Sequence, residues 1–115
     1  MTDTSFGGRG KFFRRSLGSG YGPSQVYDAA LVTVGSKFFL FGGNAAGMPS
    51  NELWSFDPST QQWSSIDFAD DVRIPSLRAG ATVVQYSGKI FVFGGHDEDA
   101  PPWRGSQYKN DLWRI

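Results

Sequence analysis

Lys37-Phe38-Phe39-Leu40-Phe41-Gly42-Gly43 returns as Lys89-Ile90-Phe91-Val92-Phe93-Gly94-Gly95, displaced by 52 residues. Working outward, Ala29-Ala30-Leu31-Val32 pairs with Ala81-Thr82-Val83-Val84 at the same offset. Asn51-Glu52-Leu53-Trp54 pairs with Asn110-Asp111-Leu112-Trp113 at an offset of 59. The second copy therefore carries seven extra residues between its two blocks. An insertion tolerated at that place implies a surface loop. A repeat of this length is the signature of a solenoid or propeller.

Each copy reads as strands. Tyr27–Val34, Lys37–Gly42, Leu53–Phe56 and Gln62–Ile66 are short runs rich in β-branched and aromatic residues. Gly35-Ser36 and Ser87-Gly88 suit two-residue hairpin turns, with glycine supplying a positive φ. Asp57-Pro58-Ser59-Thr60 is a turn, because Asp starts it and Pro presets φ at the next position. Phe38-Phe39-Leu40-Phe41 shows no polar alternation, which predicts a strand buried on both faces. No segment has sustained helical periodicity. Four antiparallel strands in each repeat is the arithmetic of a propeller blade.

Composition excludes several classes. The chain has 115 residues, with 11 basic and 11 acidic side chains and a formal net charge of zero. The whole chain thus offers no electrostatic case for nucleic-acid binding. The absence of cysteine removes disulfides, Cys-ligated zinc and Cys nucleophiles. No apolar run approaches the ~18 residues of a membrane span. Met1-Thr2-Asp3-Thr4-Ser5 lacks the apolar core of a secretory signal. With no cysteine and no signal, cytoplasm or nucleus is the default compartment. Residues 1–25 hold Arg9, Lys11, Arg14 and Arg15 against Asp3 and are rich in Gly and Ser, which predicts a flexible basic arm. Two readings of that arm are open. It is a solvated tail or a strand that completes a blade, or it touches an anionic surface. The first is the simpler.

The ordered set of features resembles the kelch repeat family: an apolar run ending in Gly-Gly, an N-[DE]-L-W block, an Asp-Pro turn and a tryptophan. The residues carrying it are Gly42, Gly43, Trp54, Asp57, Pro58 and Trp63, then Gly94, Gly95 and Trp113. The resemblance implies an all-β fold: a partial β-propeller of two four-stranded antiparallel blades. Residues 26–75 form the first repeat, and residues 76–115 a second one lacking its outer strand. It also implies that Trp63 packs between blades near a glycine pair. Phe56 stands where the family has tyrosine. Arg78 opens the second copy in the family manner, but Val26 holds that place in the first. Two blades leave apolar faces uncovered, since about three stacked repeats are needed for stability. The chain is then a fragment of a larger propeller, a subunit of an oligomer such as a trimer, or a unit whose arm supplies the missing strand.

Strand parity places the long loops Asn44–Ser50, Asp67–Leu77 and His96–Lys109 on one rim, where binding residues concentrate. That rim is mildly acidic. Asp67, Asp70 and Asp71 stand against Arg73, and Asp97, Glu98 and Asp99 against Arg104 and Lys109. Asp97, Glu98, Asp99, Trp103, Arg104 and Tyr108 are the candidate contacts for a basic protein segment, with Trp103 as anchor. The plainer alternative is a solvated loop stapled by Trp103. His96, the only histidine, makes a poor metal site without cysteine or alternating carboxylates. No nucleophile-elbow or phosphate-loop motif occurs. The expectation is a non-catalytic protein-interaction module with no cofactor, no metal and an unknown protein partner. A lectin assembled from several two-blade chains is the alternative. A fragment of a kelch-type enzyme is a further one.

Overall fold

In the computed structural model, residues 21–68, 74–97 and 108–115 are described. Most of the basic arm lies outside them. The first sheet is built from β1 (Ala30–Val34), β2 (Lys37–Phe41), β5 (Leu53–Asp57) and β6 (Gln62–Ile66), all antiparallel, in the order β1-β2-β5-β6. The second has three strands in the order β7-β8-β9: β7 (Thr82–Tyr86), β8 (Lys89–Phe93) and β9 (Leu112–Arg114). Among the described residues these are one complete four-stranded propeller blade and one of three strands without an outer strand. Among the described residues there is no helix long and apolar enough to cross a membrane.

The hairpin turns follow the local chemistry. Gly35 takes φ +60°, and Ser87-Gly88 takes +52° and +75°. β1 begins three residues later than the residue pattern predicts. Asp28 takes φ +56°, which breaks the strand, and Tyr27 bridges to Asn44 instead. Residues 44–50 are more ordered than a plain loop. β3 (Asn44–Ala45) and β4 (Met48–Pro49) form a minimal hairpin around Ala46-Gly47, at φ +53° and +81°. Two-residue strands carry no readable period, so composition alone could not announce them.

Register decides which side chains meet. Phe41 pairs with Leu53, and Leu53 with Ile66, so these three share a face with Val32, Val34 and Phe39. That face packs on Val83, Ile90, Val92, Trp113 and Ile115 of the second blade. Phe41 and Val92 are fully buried at its centre. Truncating such a side chain to alanine typically costs ~3 kcal/mol or more. The opposite face of the first blade carries Leu31, Phe38, Leu40, Trp54, Phe56 and Trp63. Both faces of β2 are apolar, as expected, but only Phe41 is fully covered; Phe38, Phe39 and Leu40 are half-buried.

Trp63 lies on this opposite face. Its ring is 4.9 Å from that of Phe56, and Phe56 stacks on Phe38 at 6.1 Å. It points away from the second blade, so it does not enter the interface between these two blades.

Candidate functional site

The long loops meet at one end of the blades through backbone hydrogen bonds. The Gly43 N–H donates to the Arg78 carbonyl at 3.0 Å, and the Arg78 N–H to the Ser50 carbonyl at 3.0 Å. Ala79 and His96 exchange bonds of 2.9 and 2.8 Å, and the Lys109 N–H donates to Gly95 at 2.8 Å. Bridges His96–Tyr108 and Ala79–His96 extend the same network. The described parts of residues 44–50, 74–81 and 94–111 thus form one continuous base.

The glycine pairs permit this meeting. Gly42 and Gly43 take φ +68° and +95°, and Gly94 and Gly95 take +71° and +98°. A Cβ on Gly42 would stand 2.8 Å from the Arg78 carbonyl oxygen, and one on Gly95 2.8 Å from that of Ala79. His96 lies across Gly80, with its imidazole 3.1 Å from where a Cβ would be. Among the described residues no group of His, Asp and Glu is arranged to hold a metal.

Arg78 is the most constrained polar side chain described. It is fully buried, and each of its five guanidinium N–H groups has an acceptor. Nη1 donates to Asp111 Oδ1 at 2.6 Å and to the Gly94 carbonyl at 3.0 Å. Nη2 donates to Asp111 Oδ2 at 2.9 Å and to Ser76 Oγ at 3.1 Å, and Nε to the Ser76 carbonyl at 3.1 Å. Trp113 Nε1 also donates to Asp111 Oδ2, at 2.6 Å. These contacts, Arg78 first, hold the Asp111 carboxyl well below the ordinary carboxylate range, against the desolvation that would raise it.

The first blade repeats part of this. Trp54 Nε1 donates to Glu52 Oε2 at 3.0 Å, as Trp113 does to Asp111. Trp54 is nearly buried and meets Tyr21 edge-on at 5.3 Å. Asp57 closes its turn by accepting from Ser59 N at 2.9 Å and Ser59 Oγ at 2.7 Å. Those bonds lower its pKa. Pro58 occupies the second position of that turn.

Of the proposed rim residues, Asp97 and Tyr108 are placed. Asp97 is half-buried beside His96, and Tyr108 is 74% exposed and bridges to His96. Glu98, Asp99, Trp103 and Arg104 lie outside the described residues, as do Asp70, Asp71 and Arg73. The role of Arg78 as a buried strut was not legible, because its partner Asp111 is 33 positions away. A faint signal did exist: Pro23-Ser24 and Pro75-Ser76 stand at the repeat offset, just before Val26 and Arg78.

The family model for the KLHDC2/KLHL20/DRC7 kelch-repeats domain matches residues 13–115. The chain belongs to the kelch-repeat family. Kelch repeats are in general protein-interaction modules. A protein named "Probable serine/threonine-protein kinase" in Dictyostelium discoideum is 38% identical over 101 residues, covering 85% of this chain and 7% of that protein. Tip elongation aberrant protein 1 of Schizosaccharomyces pombe is 32% identical over 106 residues, covering 88% of this chain and 8% of its own length. Host cell factor of Drosophila melanogaster is 32% identical over 98 residues, covering 81% of this chain and 6% of its own. The kelch chain thus spans less than a tenth of each of these relatives.

Proposed function

We propose that this chain is a non-catalytic, protein-binding unit of a kelch propeller. Its blades serve as scaffold and its long loops as contact surface. The supporting observation is the hydrogen-bonded base that gathers residues 44–50, 74–81, 94–97 and 108–111 at one end. Variable loops on a rigid base are where recognition concentrates. The contact residues are Asp97, Glu98, Asp99, Trp103, Arg104 and Tyr108. Their acidic cluster and aromatic anchors suit a basic protein segment. Further blades, from a longer chain or from other copies, complete the propeller around this unit.

A panel of basic and acidic peptides, screened against the wild-type chain and Trp103→Ala, tests this. Selective retention of basic peptides is expected. Loss of the anchor is expected to weaken them about tenfold or more, with the β-type circular dichroism unchanged. Unfolding of the variant returns Trp103 to a structural role. Equal binding by variant and wild type, or no preference for basic peptides, removes the rim as the contact surface.

A further inference from the structure

The buried Arg78 of the second blade has no counterpart in the first. Val26 stands at its place, 52 residues earlier, yet the groups that surround Arg78 are repeated around it. The Gly94 carbonyl corresponds to that of Gly42, Ser76 to Ser24, Asp111 to Glu52, Trp113 to Trp54 and Val92 to Leu40. The backbone frame agrees too: Gly94 N–H donates to the Asp111 carbonyl at 3.2 Å, and Gly42 N–H to that of Glu52 at 3.0 Å. Ser24, Val26, Leu40, Gly42, Glu52 and Trp54 all line one cavity of about 360 Å³. Among the described residues no cation pairs with Glu52, whose carboxylate is already oriented by the Trp54 indole.

The geometry points to a guanidinium-binding pocket in the first blade, which takes an arginine side chain of a partner protein. Glu52 pairs with the fork, the Gly42 carbonyl and Ser24 accept the remaining N–H groups, and Leu40 and Trp54 flank the stem. Glutamate in place of aspartate extends the carboxylate by one methylene toward an entering ligand. The planar fork distinguishes arginine from lysine, whose compact ammonium has three donors but no rigid fork to match a carboxylate with two parallel bonds. The assignment does not depend on the 96–109 loop as a contact surface.

Titration of the full chain with L-argininamide, followed by the Trp54 indole N–H resonance, tests the pocket, with L-lysinamide as control. A saturable shift with argininamide is expected, and lysinamide is expected to be about tenfold weaker. Glu52→Gln is expected to weaken argininamide about tenfold or more. Val26→Arg restores the internal arginine. It is expected to abolish the shift and to raise the thermal midpoint by about 4 °C, which holds even if the Glu52 variant folds poorly. No saturable shift in the wild type overturns the pocket, as does equal binding in Glu52→Gln or continued binding in Val26→Arg. Replacing Arg9, Arg14 and Arg15 with alanine separates the sources. Unchanged affinity is expected for a partner's arginine. Severalfold tighter binding of the probe would mean that the chain fills its own pocket, which overturns the assignment to a partner.

Discussion

The carbonyl oxygen of Arg78 lies 2.8 Å from where a Cβ on Gly42 would stand, and that of Ser50 lies 3.4 Å away. Both atoms are backbone, so neither can swing aside. Gly42 also holds φ +68°, which an L side chain adopts only at a cost of about 1–2 kcal/mol. Gly42→Ala therefore combines a conformational penalty with a forced shift of the blade connection. A loss of about 3 kcal/mol is expected. Gly47 provides the control: it takes φ +81° but has nothing within 4 Å of its missing Cβ. Gly47→Ala is expected to cost only about 1 kcal/mol. Urea unfolding of the two variants measures the difference. Equal losses would mean that the connection moves freely and that the tight approach carries no energy.

At the level of elements, Arg78 ties the connection before β7 to the loop before β9. Its side chain is fully buried, and Asp111 is 39% exposed. Removing one partner of a buried, fully bonded guanidinium leaves its acceptors unpaired. Arg78→Met is expected to destabilise by about 3 kcal/mol. The pair also sets an acid sensitivity. Asp111 has its folded-state pKa depressed, so its stabilisation is complete above the ordinary carboxylate value of about 4. It is lost as the pH falls below that value. Asp57 is shifted in the same direction by Ser59 and contributes a parallel decline. The thermal midpoint of Asp111→Asn should thus fall less steeply between about pH 5 and pH 2 than that of the wild type. Parallel curves would show that the carboxylate charge contributes nothing there.

The same elements show what could be read beforehand. β2, β5, β7 and β8 were legible because their aromatic and β-branched runs are local and end at Gly-Gly, Asp-Pro or Ser-Gly, and β6 because it starts from the Asp-Pro turn. The β3–β4 hairpin was not, since two-residue strands have no period. The facing of Trp63 follows from register across β5 and β6, where Phe56 opposes it, and this puts it on the blade face that the second blade does not cover. The cradle of Arg78 needed two loops folded together before its acceptors converged. Val26 was visible as a departure from the repeat, but the cavity it leaves was not. Of the six candidate contact residues, only Asp97 and Tyr108 received a place in the fold.

At the scale of the molecule, the decisive feature is what the repeat leaves uncovered. Val32, Val34, Phe39, Phe41 and Leu53 of the first blade form its side of the core. Their repeat equivalents are Val84, Tyr86, Phe91, Phe93 and Leu112. Val84 is 52% exposed, Tyr86 73%, Phe93 50% and Leu112 66%. On the other side, Leu31 is 61% exposed on the face equivalent to the one that Val83, Val92 and Trp113 bury. The two uncovered faces are therefore the two halves of the interface that already joins the blades, at whose rim Asp111, the equivalent of the exposed Glu52, stays 39% exposed. Such faces cover each other head to tail, and a rotation that closes generates a ring. For the 115-residue chain alone, three copies would form six blades, with a mass of three times 12.6 kDa, about 38 kDa. Light scattering after size exclusion measures this directly, and a folded wild-type monomer would overturn it. Leu31→Asp spoils one face and Phe93→Asp the other, so each variant alone is expected to remain at 12.6 kDa. Mixed in equal amounts, they retain one intact pair of faces and should form a dimer of about 25 kDa that grows no further. A face-to-face dimer between identical surfaces would not show this complementation, because one of the two variants would still self-associate. A mixture that stays monomeric would mean that the faces do not recognise each other.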